Sequence, residues 1–170
     1  MNLLSLEKNK KERVFKQYVV ENKDSFYRVA YTYVKNQDDA LDVVQESICK
    51  GLDKIKSLKD IESIKTWFYR ILINTAIDYI RKNKRYVQGG EEIAIYSYIE
   101  HDIDTEIDIQ VALDNLSEKN KSVIILRYFE DMKISDIATV LGENENTVKT
   151  RLYKALKLLK VSINDSIEGE

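Results

Sequence analysis

The sequence predicts an all-α fold of two small helical domains joined by a flexible acidic linker. Three observations carry that reading. Proline is absent and glycine occurs only 5 times in 170 residues, so two strong helix breakers are nearly missing. Apolar residues recur at spacings of three and four in both halves of the chain. Between the halves lie Gly89-Gly90 and then an acidic run with no Lys or Arg. The predicted limits are residues 12–86 for the first domain, 87–104 for the linker and 105–165 for the second domain.

The first domain is read as three helices. From Asp24 to Val34, Phe26, Val29, Ala30, Tyr33 and Val34 fall on one face. From about Asp38 to Ile55, the residues Leu41, Val44, Ile48, Leu52 and Ile55 form an apolar stripe. Its opposite side carries Asp42, Gln45, Glu46, Lys50, Asp53 and Lys54. A polar break, Lys56 to Lys65, separates this helix from a third, about Thr66 to Lys84. That helix is apolar over most of its surface, through Trp67, Phe68, Tyr69, Ile71, Leu72, Ile73, Ala76, Ile77 and Ile80. A narrow polar line remains: Thr66, Arg70, Asn74, Asp78, Arg81 and Lys82. A spacing of four keeps such residues on one side. The line must therefore face solvent, a partner or a ligand.

The second domain restarts with Ile107, Val111 and Leu113, ending at Leu116. Ser117 is placed to cap a helix from Glu118 to Phe129. A short helix spans roughly Ser135 to Leu141, and Gly142 suits its end. Asn144 can cap a final helix from Glu145 to about Ser162. A short helix, a glycine-containing turn and a longer basic helix make a helix-turn-helix pattern. Lys149, Arg151, Lys154, Lys157 and Lys160 lie on the final helix with no acid among them. The N-terminal part of such a helix enters the major groove of DNA. There Thr147, Lys149, Thr150, Arg151, Tyr153 and Lys154 are available to bases or phosphates. The competing reading is a solvated lysine-rich helix.

Charge and cysteine content narrow the function. The formal net charge is -2, from 27 basic and 29 acidic residues. Seven of the acids, Glu91, Glu92, Glu100, Asp102, Asp104, Glu106 and Asp108, sit together. Taking seven from 29 leaves 22 acids against 27 bases elsewhere, a surplus of five positive charges. The distribution thus suits a nucleic-acid binder better than the sum does. One cysteine, Cys49, excludes an internal disulfide framework, and one histidine, His101, argues against a zinc cluster. No cofactor is expected. The charged first residues lack the apolar core of a signal peptide, and no run approaches the roughly 20 apolar residues of a membrane helix. A cytoplasmic location is expected.

Longer motifs make the reading specific. Leu126-Arg127-Tyr128, Ile137-Ala138, Leu141-Gly142 and Thr147-Val148-Lys149-Thr150-Arg151-Leu152 resemble region 4 of the sigma-70 family. Asp39, Ala40, Asp42, Val43, Val44, Gln45 and Glu46 resemble a region 2 motif of that family. Trp67, Ile71, Asn74, Asp78 and Arg81 coincide with the helix that follows it. The match runs through nearly the whole chain with regions 2 and 4 alone, as in the extracytoplasmic-function (ECF) group. Ser117, Lys133 and Glu143 depart from the pattern, where a proline, a capping serine and an apolar turn residue are usual. The Lys-, Ile-, Asn- and Tyr-rich composition fits an AT-rich genome, and the resemblance implies a low-GC Gram-positive source.

The resemblance implies a function and partners. The chain would bind RNA polymerase core, through the β′ clamp helices and the β flap, and promoter DNA. An anti-sigma factor, membrane-anchored, would hold it inactive at the inner face of the membrane. No small-molecule substrate and no catalysis are implied. Asp39, Asp42, Gln45 and Glu46 would bind core. Lys56, Ser57, Lys59, Tyr69, Arg70, Asn74, Arg81 and Lys82 would meet the −10 element. Residues Lys56 to Lys65 resemble a loop that captures a flipped base, whose extrusion costs a few kcal/mol to be recovered by stacking and edge hydrogen bonds. Asn74 is equally readable as a base reader or a surface amide; Arg81, Lys82, Lys84 and Arg85 as phosphate contacts or a solvated terminus. The alternative is a stand-alone helix-turn-helix regulator that binds duplex DNA without polymerase.

Overall fold

The computed structural model describes residues 3–87 and 104–168. All secondary-structure elements among them are helical. The chain divides into two compact units, Met1–Ile95 and Tyr96–Glu170. The division falls in the acidic segment, most of which lies outside the described residues, so the linker reading stays an expectation.

The first unit contains α1 (Leu3–Val34), α2 (Gln37–Asp53) and α3 (Ile64–Val87). Each packs on the other two. α1 begins well before the Asp24 expected from spacing. Its early turns are rich in Lys, Glu and Leu, which propagate helix readily, but they carry few apolar residues to mark a periodicity. Phe15 anchors them. It is fully buried and meets Trp67 edge-on, with centroids 5.5 Å apart, and Phe68 at 5.2 Å. Phe26 continues the cluster, at 4.7 Å from Phe68 and 5.6 Å from Tyr69. Offset and edge-on ring pairs add to the burial of area itself.

The buried face of α2 keeps Val44 of the expected stripe but is otherwise shifted from it. Ala40, Val43, Val44, Ser47 and Gly51 are buried, whereas Leu41 is 50% exposed. Small residues let α1 and α3 approach closely. Gly51 is the extreme case: a Cβ there would lie 2.6 Å from Cζ of Phe15. Asn36 starts α2 by accepting the Asp39 N–H at 3.0 Å, and Lys35, at φ 58°, ends α1. The predicted polar break between α2 and α3 is instead ordered as two 3-10 turns, Ile55–Ser57 and Ile61–Ser63. Ile55 and Leu58 pin it from beneath, at 1% and 0% exposure.

The second unit contains α4 (Asp104–Asp114), α5 (Glu118–Ile124), α6 (Ile134–Leu141) and α7 (Glu145–Glu168). Leu113, Leu116, Ile124 and Ala155 form a core, with Leu152 and Leu159 packed against it. Ser117 does cap α5, accepting the Asn120 N–H at 3.4 Å. The helix expected to continue to Phe129 widens into a π turn at Ile125–Phe129. The Glu130 N–H reaches back to Ile125 O at 3.2 Å and Met132 N–H to Leu126 O at 3.0 Å. Asp131 takes the left-handed conformation, φ 50°. Gly142, at φ 65° and ψ 35°, stops α6. The Glu143 N–H then closes on Ala138 O at 3.0 Å, a Schellman arrangement.

Two stability predictions follow from these contacts. Gly51→Ala gains helix propensity but drives a methyl into the Phe15 ring, so unfolding free energy should fall by about 1–3 kcal/mol, read from urea melts. Lys133 gives α6 no side-chain cap although its φ and ψ, -71° and 155°, suit one. Lys133→Ser completes a capping box with Asp136 and should raise stability by about 1 kcal/mol in the same melts.

Candidate nucleic-acid interface

The acidic surface of α2 is built against α3. Asp42, Gln45 and Glu46 are exposed, while Asp39 is half-buried. Asp39 accepts a hydrogen bond of 2.5 Å from the Tyr79 hydroxyl. That bond, with some burial, raises the Tyr79 pKa above its ordinary value, because ionising the phenol would forfeit it. Further along the seam, Lys50 pairs with Glu46 at 2.7 Å and donates to Thr75 Oγ1 at 3.2 Å. Two polar ties thus lock the roll of α2 on α3. Tyr79 was not among the sequence candidates; its position one residue after Asp78 of the polar line was the available signal.

The α3 surface keeps most of its expected members. Arg70, Asn74, Asp78, Arg81 and Lys82 are exposed. Tyr69 is the correction. It is 1% exposed, sits against Phe26, and its hydroxyl shares a 3.1 Å hydrogen bond with Ser25 Oγ. Its ring belongs to the core and leaves no surface for DNA, because one residue along a helix turns about 100° from Arg70. In the neighbouring loop Lys56, Ser57 and Lys59 are exposed. The Ser57 hydroxyl donates to Lys54 O at 2.7 Å and accepts from the Trp67 indole N–H at 3.0 Å. Ser57 therefore shapes the loop, and Trp67 holds the loop to α3. Lys84 and Arg85 lie outside the residues whose side chains are described.

In the second unit, Asn144 caps α7 by accepting from the Thr147 N–H at 2.8 Å and the Thr147 hydroxyl at 3.0 Å. The Thr150 hydroxyl donates to Asn146 O at 2.9 Å. Both hydroxyl protons are used, so these threonines can accept from a base amino group or touch a thymine methyl, but not donate. Lys149, Tyr153 and Lys154 are exposed, and neither lysine forms an ion pair among the described residues. Tyr153 is 78% exposed. Arg151 differs. Its Nε and Nη2 donate to the two carboxylate oxygens of Glu143 at 2.7 and 2.9 Å, with both side chains partly buried. In the sequence Glu143 stands out only as a departure from the family pattern; its charge, eight residues before Arg151, is the signal for the pair.

No group of three or more His, Cys, Asp or Glu suited to a metal occurs among the described residues. No helix among them is long and apolar enough to cross a membrane.

Comparison with known proteins agrees with this geometry. Residues 18–86 match the family model Sigma-70 region 2, and residues 106–159 match Sigma-70, region 4. RNA polymerase sigma factor SigV of Bacillus subtilis is 50% identical over 146 residues, covering 85% of this chain and 88% of that protein. The ECF RNA polymerase sigma factor SigW of the same organism is 30% identical over 159 residues, covering 84% and 85%. Among solved structures, the sigma factor RpoE in complex with the anti-sigma factor NepR from Bartonella quintana superposes with a TM-score of 0.72. It is 27% identical and covers 88% of this chain and 96% of that one. CnrH in complex with the cytosolic domain of CnrY, at 19% identity and a TM-score of 0.69, shares the fold. The region 2 match sets aside the stand-alone regulator, which needs no such domain. A polar α2–α3 surface and a basic helix-turn-helix in one chain, matched in order to both family regions, place the protein in the sigma-70 family, as an ECF-group sigma factor that directs promoter-specific transcription initiation.

Proposed function

We propose that the three surfaces divide the work of initiation among named residues. The carboxylates Asp42 and Glu46, with Gln45, form the face for RNA polymerase core at the β′ clamp helices. Asp39 belongs to that face but is held by Tyr79, so its part is to present the others. Arg70, Asn74, Arg81 and Lys82 follow the −10 strand, with Lys56, Ser57 and Lys59 in the adjoining loop around an extruded base. Asn74 is the edge reader of this set, and the cations meet phosphates. Lys149, Tyr153 and Lys154, supported by Thr147 and Thr150, read the −35 element in the major groove, and the second unit meets the β flap. The observation that carries the −35 assignment is the unpaired, exposed state of Lys149 and Lys154 on one side of α7 with Tyr153 between them.

The protein works in the cytoplasm and is restrained by an anti-sigma factor, membrane-anchored. The support is the Bartonella RpoE likeness, a sigma factor seen with its anti-sigma partner. Native co-purification from uninduced cells should recover that partner in the membrane fraction; recovery only as free protein or with polymerase overturns the restraint. Run-off transcription with purified core and promoter fragments tests the main reading.

Reversing charge at Asp42 and Glu46 should weaken core association at least tenfold while circular dichroism stays unchanged; close charge pairs across interfaces couple by about 1.5 kcal/mol or more. Unchanged affinity in a fluorescence titration sinks the core assignment. Lys149→Ala and Lys154→Ala should each cost about 1–3 kcal/mol at −35 if they read a base, or weaken all sequences alike and reduce the salt slope by about one if they meet a phosphate. Full −35 dependence in the double variant overturns the recognition face.

A further inference from the structure

We propose that Arg151 does not read DNA but positions the helix that does, through a bridge to Glu143. The proposal rests on the −35 reading above and refines it. Viewed down α7, Lys149, Tyr153, Thr150 and Lys154 span an arc of about 140° at about 100° per residue. Arg151 lies beyond that arc, on the side next to the buried Val148 and Ala155. Two of the five N–H donors of its guanidinium are committed to one partner. The side-on fork of Nε and Nη2 meets both oxygens of Glu143 at 2.7 and 2.9 Å, the bidentate geometry that makes such pairs strong.

Glu143 is itself fixed at both ends. Its N–H closes the α6 stop on Ala138 O at 3.0 Å. Its carboxylate, besides Arg151, has Lys119 of α5 at 4.0 Å. One carboxylate therefore joins α5, the turn and α7. The turn of a helix-turn-helix sets the angle at which the second helix leaves it, and a longer α7 amplifies any error in that angle at the bases. An apolar turn residue fixes the angle by packing; Glu143 fixes it by charge. The pair is also neutral as a unit, so Arg151 adds little to the attraction that phosphates feel for Lys149 and Lys154.

The test is −35-dependent run-off transcription by the holoenzyme, with the salt dependence of promoter binding, at a temperature where thermal melts show every variant folded. Glu143→Gln and Arg151→Gln should each lower −35-dependent output by a similar factor, about tenfold, and together cost no more than the worse single change, as coupled partners do. The salt slope should not move. Arg151→Glu alone should abolish the dependence, and adding Glu143→Arg should recover most of it. A phosphate or base contact gives the opposite pattern: Arg151→Gln flattens the salt slope by about one, Glu143→Gln leaves binding unchanged or tighter, and the exchanged pair stays inactive because it places a carboxylate against DNA. Any of these overturns the bridge. The −35 reading is judged separately, by the loss of −35 dependence in Lys149→Ala and Lys154→Ala.

Discussion

The aromatic contact between α1 and α3 is the constraint on which the first unit depends. Phe15, Phe26, Phe68 and Tyr69 are at most 1% exposed and touch in sequence from one helix to the other. Rings of this size interlock in few ways, so they fix both the axial register and the roll of α3. With the roll fixed, Arg70, Asn74, Asp78 and Arg81 have one direction left. The exposed polar line is thus what the core does not use. The α2 surface depends on the same contact at one remove, because Tyr79 and Thr75 of α3 hold Asp39 and Lys50.

The second unit solves the same problem without a buried aromatic ring among its described residues. Its core is mainly aliphatic, and its precision comes from the ends of its helices. Asn144 caps α7, Gly142 closes α6, and Arg127 donates to Met132 O at 2.8 Å to hold the turn after the π segment. That widened turn leaves Tyr128 and Phe129 58% and 55% exposed beside buried Ile125 and Leu126. An ordinary helix carries each residue 100° on from the last; a wider turn changes that phase, so two aromatics can leave the core together.

The order of the helices, the separation into two domains and the polar line of α3 were legible because each rests on many residues whose periodicities agree. The errors share one cause. Sequence reasoning ranks side chains by type, whereas burial depends on shape. In α2 the core face is made by Ala40, Ser47 and Gly51, which look weak beside Leu41 and Leu52, so the stripe was displaced by one position. Tyr69 reads as a DNA contact from its place beside Arg70 and the polar line, but its ring is buried and its hydroxyl shares a hydrogen bond with Ser25. Arg151 matched a family motif by type, and only its distance to Glu143 revealed its commitment. The capping residues were read correctly at Ser117, Gly142 and Asn144 because caps act within four residues, where sequence is a good proxy for space.

Phe15 has a consequence for where this protein can be cut. The family match opens at residue 18, yet Phe15 fills the space above Gly51 and closes the ring of Trp67 and Phe68. A fragment trimmed to the matched residues would leave a void the size of a phenyl group, bordered by a glycine that has no side chain to collapse into it. The edge of the region 2 family match and the edge of the folding unit are therefore different places in this chain, and the second lies on the N-terminal side of the first.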